Sequence, residues 1–495
     1  MNYALALLSA WMLVALFAPF NVTWMAPIAL TPLLIVAARE KRPVVRFFLG
    51  WSTGIVFWFF LCTWIQFVLE VHGGMGRWGG WATFVLFSLA KGLHLAVFTL
   101  LAGWLMRRFW AVPAVAALWV GIERTHGTFG FAWLTLGNAG IDMALPMRLA
   151  PYVGVYGLSF IFALLACAAA ALLLWRWRQL VWLLPLLLVP LFPALPEPQT
   201  GTEFADVVQP NMPEESDWSW GQLQSSELRL TQLSLSQAEG ARLIVWPEVP
   251  GPFYFYSDPV FRDLTQRIAR EAHTYFLFGT VAQTPSGAPL NSAVLLSPEG
   301  EVVDRYDKMY LVPFGEFVPK LFSFVNRITK EAGDFEAGTR VVVFPFAGHK
   351  LGTFICYESA FPHLVRRFVN GGADVLVNIS NDGYFGRSAA REQHLSLVRM
   401  RAAENRRWII RATNDGITAV IDPAGRVSIR LPMYRPFAAK LLYSYVEQET
   451  PYSRHGDWFA WSCLAIGVVL ALHEAGTYPW ALRFFRPRVP RIPAA

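Results

Sequence analysis

Three residues between about positions 240 and 360 combine into a reactive set. Glu248 ends the run Leu243-Ile244-Val245-Trp246-Pro247-Glu248, Lys308 follows Tyr306-Asp307, and Cys356 ends Gly352-Thr353-Phe354-Ile355-Cys356. Each follows a short β-type run, and in open α/β sheets functional groups gather beyond the carboxyl ends of strands. A thiol attacks only as thiolate, and its ordinary pKa is about 8.5. A carboxylate can take the thiol proton if burial raises its own pKa. An ammonium favours the thiolate and then stabilises the oxyanion of a tetrahedral intermediate. Glu, Lys and Cys therefore suffice for covalent acyl transfer without a histidine. Taken singly, each has an ordinary alternative: a lone Cys after apolar residues is usually buried filler, and a lone Lys after a strand is usually solvated. Neither metal-ligand spacing nor a phosphate-cradling glycine loop competes, so no metal and no cofactor is expected.

The elements that position these residues lie between about 202 and 447. Strands are expected at 204–209, 242–247, 275–282, 292–297, 341–346, 351–356, 374–380, 407–413, 417–422 and 426–430, and helices at about 217–238, 258–272, 360–370 and 388–404. Strands alternating with helices imply layered α/β architecture around a buried sheet. Ser297-Pro298-Glu299-Gly300 and Asp422-Pro423-Ala424-Gly425 supply hairpin turns near 292–306 and 417–430. No internal repeat stands out in the sequence.

The rest of the chain reads as membrane. Of the 495 residues, 55% are hydrophobic and only 16% charged, against about 25% charged in an average soluble domain. Apolar stretches recur at about 4–20, 24–38, 47–70, 80–106, 110–124, 149–175, 179–195 and 457–474, giving about eight spans as helices. The expected organisation is a transmembrane bundle over 1–198 with about seven spans and an extracytoplasmic unit over 202–447. A last span over 455–476 and a basic cytoplasmic tail over 477–495 complete it. Pro193 to Pro198 form the stiff exit from the membrane.

Charge placement sets the orientation. Arg39, Lys41, Arg42 and Arg46, then Arg107 and Arg108, then Arg176 and Arg178, then Arg483, Arg486, Arg488 and Arg491 occupy alternate loops and the tail. The other loops carry Arg77, Arg124 and Arg148. By the positive-inside rule both termini are cytoplasmic and the 202–447 unit lies outside. The net charge of +7 is thus spent in loops rather than on a nucleic-acid surface. Lys91 and His94 fall inside one span, one turn apart, and serve either a lipid or partner contact or a satisfied polar pair in the bundle. Cys62, Cys167 and Cys463 lie in apolar runs, leaving Cys356 alone in the soluble unit.

The chemical segments resemble the nitrilase superfamily. Trp246-Pro247-Glu248, Tyr306-Asp307-Lys308 and Ile355-Cys356-Tyr357-Glu358 before Phe361-Pro362 match its base, lysine and nucleophile segments, and Arg401-Ala402-Ala403-Glu404-Asn405 and Arg411-Ala412-Thr413-Asn414-Asp415-Gly416 match later ones. The run from Lys308 to Pro319, joined to a polytopic bundle and a last C-terminal helix, resembles the apolipoprotein N-acyltransferase family of the bacterial inner membrane. The resemblance implies an α+β membrane protein with an α-β-β-α nitrilase-like sandwich and a Glu248-Lys308-Cys356 triad. It implies a ping-pong reaction: Cys356 takes an acyl chain as thioester from a membrane phospholipid, phosphatidylethanolamine in the first instance. The chain then passes to the α-amine of a diacylglyceryl-cysteine apolipoprotein. Glu316 is the second glutamate of the pattern, Tyr357 and Glu358 support the nucleophile, and Trp218 and Tyr384 lie on the substrate side. The pattern carries Trp where Tyr384 stands.

Two other functions fit parts of the pattern. A tethered amidase would use water as acceptor, but a soluble substrate needs no polytopic bundle. A transporter with the soluble unit as a cap would need midplane charges, for which Lys91 is the candidate. The aromatic segments Phe253-Tyr254-Phe255-Tyr256 and Leu321-Phe322-Ser323-Phe324 read as loops dipping into the membrane interface, with core packing as the alternative.

Overall fold

The computed structural model describes residues 1–128, 131–213, 218–249, 251, 254–313, 315–317 and 335–476. Phe253, the segment 321–324 and the basic tail from 477 lie outside the described residues.

Two six-stranded sheets form the soluble half. The first runs in the order β12-β1-β2-β3-β4-β5, with β1 Glu203–Gln209, β2 Leu243–Val245, β3 Tyr275–Gln283, β4 Pro289–Leu296, β5 Val302–Asp307 and β12 Phe437–Tyr443. The second runs β11-β10-β9-β8-β7-β6, with β6 Val343–Phe346, β7 His349–Ile355, β8 Val375–Ser380, β9 Ile409–Thr413, β10 Ala419–Ile421 and β11 Val427–Arg430. Each sheet holds three parallel strands (β1-β2-β3 and β7-β8-β9) continued by two antiparallel ones and closed on the other side by one antiparallel edge. The topology therefore repeats although the sequence shows no repeat. The strand at Phe437–Tyr443 was not anticipated: its burial alternates weakly, so its apolar pattern is poor, yet it pairs with all seven residues of β1.

β2, β8 and β9 are buried along their whole length, which their Val/Ile/Leu-rich sequences reflect. Ala205, Val207, Leu243, Val245 and Leu277 of the first sheet share one core with Leu351, Phe354, Val375 and Ile410 of the second. On the outer side of the first sheet, Val208, Ile244, Trp246, Phe276 and Phe278 meet the helices Trp220–Ser236 and Pro259–Ala272. The second helix starts at Asp258, whose carboxylate accepts from the Val260 and Phe261 N–H groups at 2.9 and 3.2 Å, with Pro259 at its first position. Phe255 is buried in this outer core, so it is not a membrane-facing residue; its neighbours Tyr254 and Tyr256 are exposed.

The helices Pro362–Asn370 and Ala390–Asn405 cover the second sheet, and Ala390–Asn405 also meets the membrane half. Its Gln393 donates to the carbonyls of Ala18 and Leu61 at 2.9 and 3.1 Å, and its Glu404 accepts from the Val155 N–H at 2.8 Å.

By length and composition, three helices among the described residues are long and apolar enough to cross a bilayer: Pro43–Leu61, Gly76–Leu105 and Ala150–Leu173. Asn2–Ala15, Trp177–Leu191 and Trp458–Glu474 are apolar but shorter. The expected second span resolves into a short turn at Thr23–Met25 and the nine-residue helix Thr31–Arg39, about 14 Å of helix against about 30 Å of hydrocarbon. Gly54 and Gly92 let two of the long helices cross closely: a Cβ on Gly54 would stand 2.7 Å from the Gly92 Cα. The ends that touch the sandwich include Ala18, Leu61, Val155 and, beside His363, Asp457. The basic residues Arg39 to Arg42, Arg107, Arg108 and Arg176 flank the opposite helix ends.

Candidate active site

Glu248, Lys308 and Cys356 arrive from both sheets at one place. Glu248 lies three residues beyond β2, carried there by Trp246 and Pro247. The buried Trp246 indole donates to the Ser234 hydroxyl at 2.7 Å, anchoring the turn. Beneath it runs Gly279 of β3, where an added Cβ would sit 2.5 Å from the Val249 nitrogen and 2.8 Å from the Glu248 Cα. Lys308 follows β5, its N–H bonded to the Asn291 carbonyl at 2.8 Å. Cys356 follows β7 with φ +49°. A non-glycine residue in this left-handed region is held there by its surroundings against a cost of about 1 kcal/mol or more.

The Lys308 ammonium donates to Glu248 Oε1 and to Glu316 Oε1, both at 2.9 Å. Asn291 Nδ2 bridges the same two oxygens at 2.8 and 2.6 Å, the Asn381 N–H donates to Glu248 Oε2 at 2.9 Å, and the Val312 N–H donates to Glu316 Oε2 at 2.8 Å. Burial acts to raise the Glu248 pKa, but the Lys308 ammonium and these hydrogen bonds outweigh it and hold the carboxyl below its usual range. The expectation of a base raised by burial is thus reversed, because a buried carboxylate paired with an ammonium is stabilised as the anion. Burial likewise opposes the charge on Lys308, and the Glu248 and Glu316 carboxylates carry its pKa well above the usual value. Burial and the Glu248 carboxylate push the Cys356 thiol up, while Lys308 and a hydrogen bond with Ser380 pull against them. At rest the site is carboxylate, ammonium and thiol.

Glu358 staples the lysine loop to the cysteine turn. Its Oε1 accepts from the Tyr306 hydroxyl at 2.7 Å and the N–H groups of Met309 and Tyr310 at 2.7 and 3.2 Å, and its Oε2 accepts from the Ile355 N–H at 2.7 Å. Tyr357 turns the other way, toward the membrane half: its hydroxyl accepts from the Ala132 N–H at 3.0 Å, and its ring stacks on Phe131. Tyr384 stacks on His72 at 4.1 Å, so it belongs to the seam between the halves. Trp218 packs half-buried against the outer core.

Five site residues have no role assigned from the sequence: Asn291, Ser380, Asp382, His394 and, although its segment resembles the superfamily, Arg411. The Arg411 guanidinium grips Asp382 with one nitrogen at 2.9 and 2.7 Å, the Ser380 hydroxyl donates to Asp382 at 2.8 Å, and His394 lies 3.0 Å from both Asp382 Oδ1 and the Cys356 carbonyl oxygen. Burial opposes the charge of Asp382, but Arg411 and His394 hold its carboxyl well below the usual range.

A sandwich of two sheets bearing a buried thiol, carboxylate and ammonium, set on a bundle with membrane-length helices, defines a nitrilase-type enzyme of the membrane. The family model for carbon-nitrogen hydrolases matches residues 207–435, and the model for the apolipoprotein N-acyltransferase N-terminal domain matches residues 9–168. An apolipoprotein N-acyltransferase of Geobacter metallireducens is 34% identical over 95% of this chain and 94% of its own. Those of Azotobacter vinelandii and Photobacterium profundum are 33% and 29% identical over 92% and 93% of this chain. The chain belongs to the apolipoprotein N-acyltransferase family, and it is an acyltransferase. Among solved structures, a mutant of the Nesterenkonia AN1 amidase from the nitrilase superfamily is 19% identical, covers 53% of this chain and 94% of that one, and has a TM-score of 0.39. Nit3 of Saccharomyces cerevisiae is 17% identical over 49% of this chain and 90% of that one, also with a TM-score of 0.39.

Proposed function

We propose that the protein moves an acyl chain from a membrane phospholipid to the N-terminal α-amine of diacylglyceryl-cysteine apolipoproteins, by way of a thioester on Cys356. The observation that carries this reading is the convergence of Glu248, Lys308 and Cys356, from opposite sheets, on one buried site where the Glu248 carboxylate and the Lys308 ammonium both act on the thiol.

In the first half-reaction the Cys356 sulfur attacks the ester carbonyl of the phospholipid, phosphatidylethanolamine at its first glycerol position, and the thiol proton passes to Glu248. Because Glu248 is the weaker base at rest and the thiol the weaker acid, deprotonation proceeds together with C–S bond formation rather than ahead of it. The carbonyl oxygen gains the negative charge beside the Lys308 ammonium and the Tyr357 N–H. Collapse expels the glycerol oxygen, which takes the proton from Glu248 and leaves as lysophospholipid. In the second half the neutral α-amine attacks the thioester, Glu248 takes its proton, and the sulfur leaves and recovers that proton as the amide forms. A thioester is a better acyl donor to an amine than the original ester, so no nucleotide is required.

Glu316 and Asn291 keep Lys308 and Glu248 in register, and Glu358 fixes the distance between the lysine loop and the nucleophile. Tyr384 and Trp218 are assigned to the substrate side. Membrane attachment supports the reading physically, since an acyl-enzyme exposed to water would hydrolyse. The catalytic unit over 202–447 faces the periplasm of the inner membrane, with both termini cytoplasmic: the basic loops flank the helix ends away from the sandwich. On this assignment the 1–198 bundle and the last helix over 455–476 supply about eight membrane passages, the short and broken helices included.

The test is a mass measurement. Purified protein incubated with phosphatidylethanolamine should add one acyl mass to the peptide bearing Cys356 and release it when a diacylated lipopeptide is supplied. Full transferase activity with Cys356 unmodified and replaceable would overturn the assignment.

A further inference from the structure

His394 sits in the helix Ala390–Asn405, fully buried behind the nucleophile, and the chemistry outlined above does not use it. Its Nε2 lies 3.0 Å from the Cys356 carbonyl oxygen and its Nδ1 lies 3.0 Å from Asp382 Oδ1. A carbonyl oxygen can only accept, so Nε2 carries a proton and donates a hydrogen bond to the Cys356 carbonyl, while Nδ1 faces both Asp382 and, at 3.3 Å, the Arg411 guanidinium. On its other side the ring is backed by Asp382, which Arg411 and Ser380 hold in turn. Gly416 closes this brace: a Cβ there would stand 2.4 Å from Asp382 Oδ2. The imidazole therefore has one orientation, fixed from behind and spent on one backbone atom of the nucleophile.

That backbone atom matters because of peptide geometry. The Cys356–Tyr357 peptide is planar and trans, so its C=O and N–H point in opposite directions. The φ of +49° at Cys356 turns the chain out of the β7 direction, and the plane of the next peptide is then set by whatever holds its carbonyl. With the carbonyl drawn toward His394, the Tyr357 N–H faces the other way, away from the helix Ala390–Asn405.

We propose that His394 is a positioning residue for acyl transfer: by donating to the Cys356 carbonyl it aims the Tyr357 N–H at the oxyanion of the tetrahedral intermediate. The inference rests on the acyl-transfer reading of Cys356. It assigns half of the oxyanion site to a histidine that never touches substrate, with Asp382 and Arg411 as its support. The contact is spent on geometry and not on proton transfer, so it is needed where an oxyanion forms and not where the sulfur reacts without one.

The experiment compares two reactions of the same sulfur in full-length protein in phospholipid-detergent micelles: acylation by phosphatidylethanolamine, followed by mass, and alkylation by iodoacetamide, which builds no oxyanion. His394→Phe should lower the acylation rate about 10²-fold, the usual effect of losing one oxyanion donor, with KM for phospholipid unchanged and alkylation within about twofold of the parent. His394→Gln keeps a donor at the reach of Nε2 and should recover most of the acylation. Where the Phe variant does not fold, Gln against Asn answers the same question, because the Asn amide is too short to reach the carbonyl. Parent-like acylation in the Phe variant, equal acylation in the Gln and Asn variants, or acylation and alkylation falling in step in every variant would overturn the clamp. An unacylated Cys356 in the unsubstituted protein would instead sink the acyl-transfer reading beneath it.

Discussion

The Lys91 ammonium, midway along a membrane helix, donates to the Phe131 carbonyl at 2.9 Å. The next residue, Ala132, gives its N–H to the Tyr357 hydroxyl, one residue from Cys356. Lys91 also lies 4.8 Å from the centre of the Trp58 ring. The bundle therefore does more than anchor the sandwich: it holds a loop against the cysteine turn. Of the two readings of Lys91 that the sequence left open, its described contacts are those of a polar residue satisfied within the bundle.

Replacing Lys91 with Met keeps the length of the side chain and removes the donor. The Phe131 carbonyl then loses its partner in a buried place, at a cost of about 1–3 kcal/mol. The expected outcome is a lower melting temperature in detergent and slower acylation of Cys356, with the membrane insertion of the protein unchanged. An unaltered melting temperature together with an unaltered acylation rate would show that the loop is held by other contacts.

The charge states of the site predict its pH behaviour. The folded pKa of Glu248 lies below its unfolded value, so its contribution to stability is present above that unfolded value and is lost as pH falls through the folded one. The folded pKa of Lys308 lies above its unfolded value, so its contribution is present below that value and is lost as pH rises through the raised one. With the thiol also raised, no member of the triad titrates near neutrality. The triad itself should therefore put no inflection in the rate of Cys356 acylation under kcat/KM conditions between about pH 5 and about pH 9, and a fall below about pH 7 is expected from protonation of the Glu358 carboxyl, which burial pushes up to about 7. An acid limb near pH 7 that persists in Glu358→Gln would mean that Glu248 is not paired with Lys308 in the working enzyme.

Gly279 predicts a strictly steric effect. An added Cβ would press on the Val249 nitrogen and the Glu248 Cα, backbone atoms that cannot swing aside. Gly279→Ala should displace the base and lower acylation by about 10²-fold or more, in keeping with the sensitivity of catalytic geometry to shifts of about 1 Å. Because the strand is internal, a melting curve is needed beside the rate. A parent-like rate would place the working position of Glu248 elsewhere.

How much of this was legible in sequence follows from where each residue sits. Glu248, Lys308 and Cys356 stand just past β-type runs, where a polar residue interrupts an apolar pattern, and so they can be picked out. His394 and Arg411 lie inside regular elements, where a polar residue reads as a solvated face until the partner sheet and bundle are known. One signal was present for His394: in the helix Ala390–Asn405, His394, Leu397, Val398, Arg401 and Asn405 share one face by their spacing, and all are buried. A face mixing Leu and Val with His, Arg and Asn is the mark of a buried polar network, not of a solvated helix. The membrane half was legible as apolar stretches, most of which are helices where expected, but not in the regularity of two of them, since Pro185 and Pro190 within Trp177–Leu191, and the turn at Thr23–Met25, alter length and geometry without altering hydrophobicity.

Glu358 offers the sharpest separation between charge and shape. Burial pushes its pKa up to about 7, and the hydrogen bonds it accepts from Ile355, Tyr306 and Met309 pull the other way. All four partners are donors, one hydroxyl and three backbone N–H groups, so both of its oxygens serve as acceptors. Glu358→Gln is nearly isosteric, yet it puts an NH2 group where an oxygen accepted, facing at least one N–H with no acceptor between them. Each buried donor left unpaired costs about 1–3 kcal/mol, and because the staple joins Met309 to Ile355 the loss falls on the spacing of Lys308 and Cys356. The variant should therefore lose both melting temperature and acylation rate, whereas a change at exposed Glu299 should move neither. Acylation and melting at parent values in Glu358→Gln would mean that the lysine loop and the nucleophile turn keep their spacing without this carboxylate.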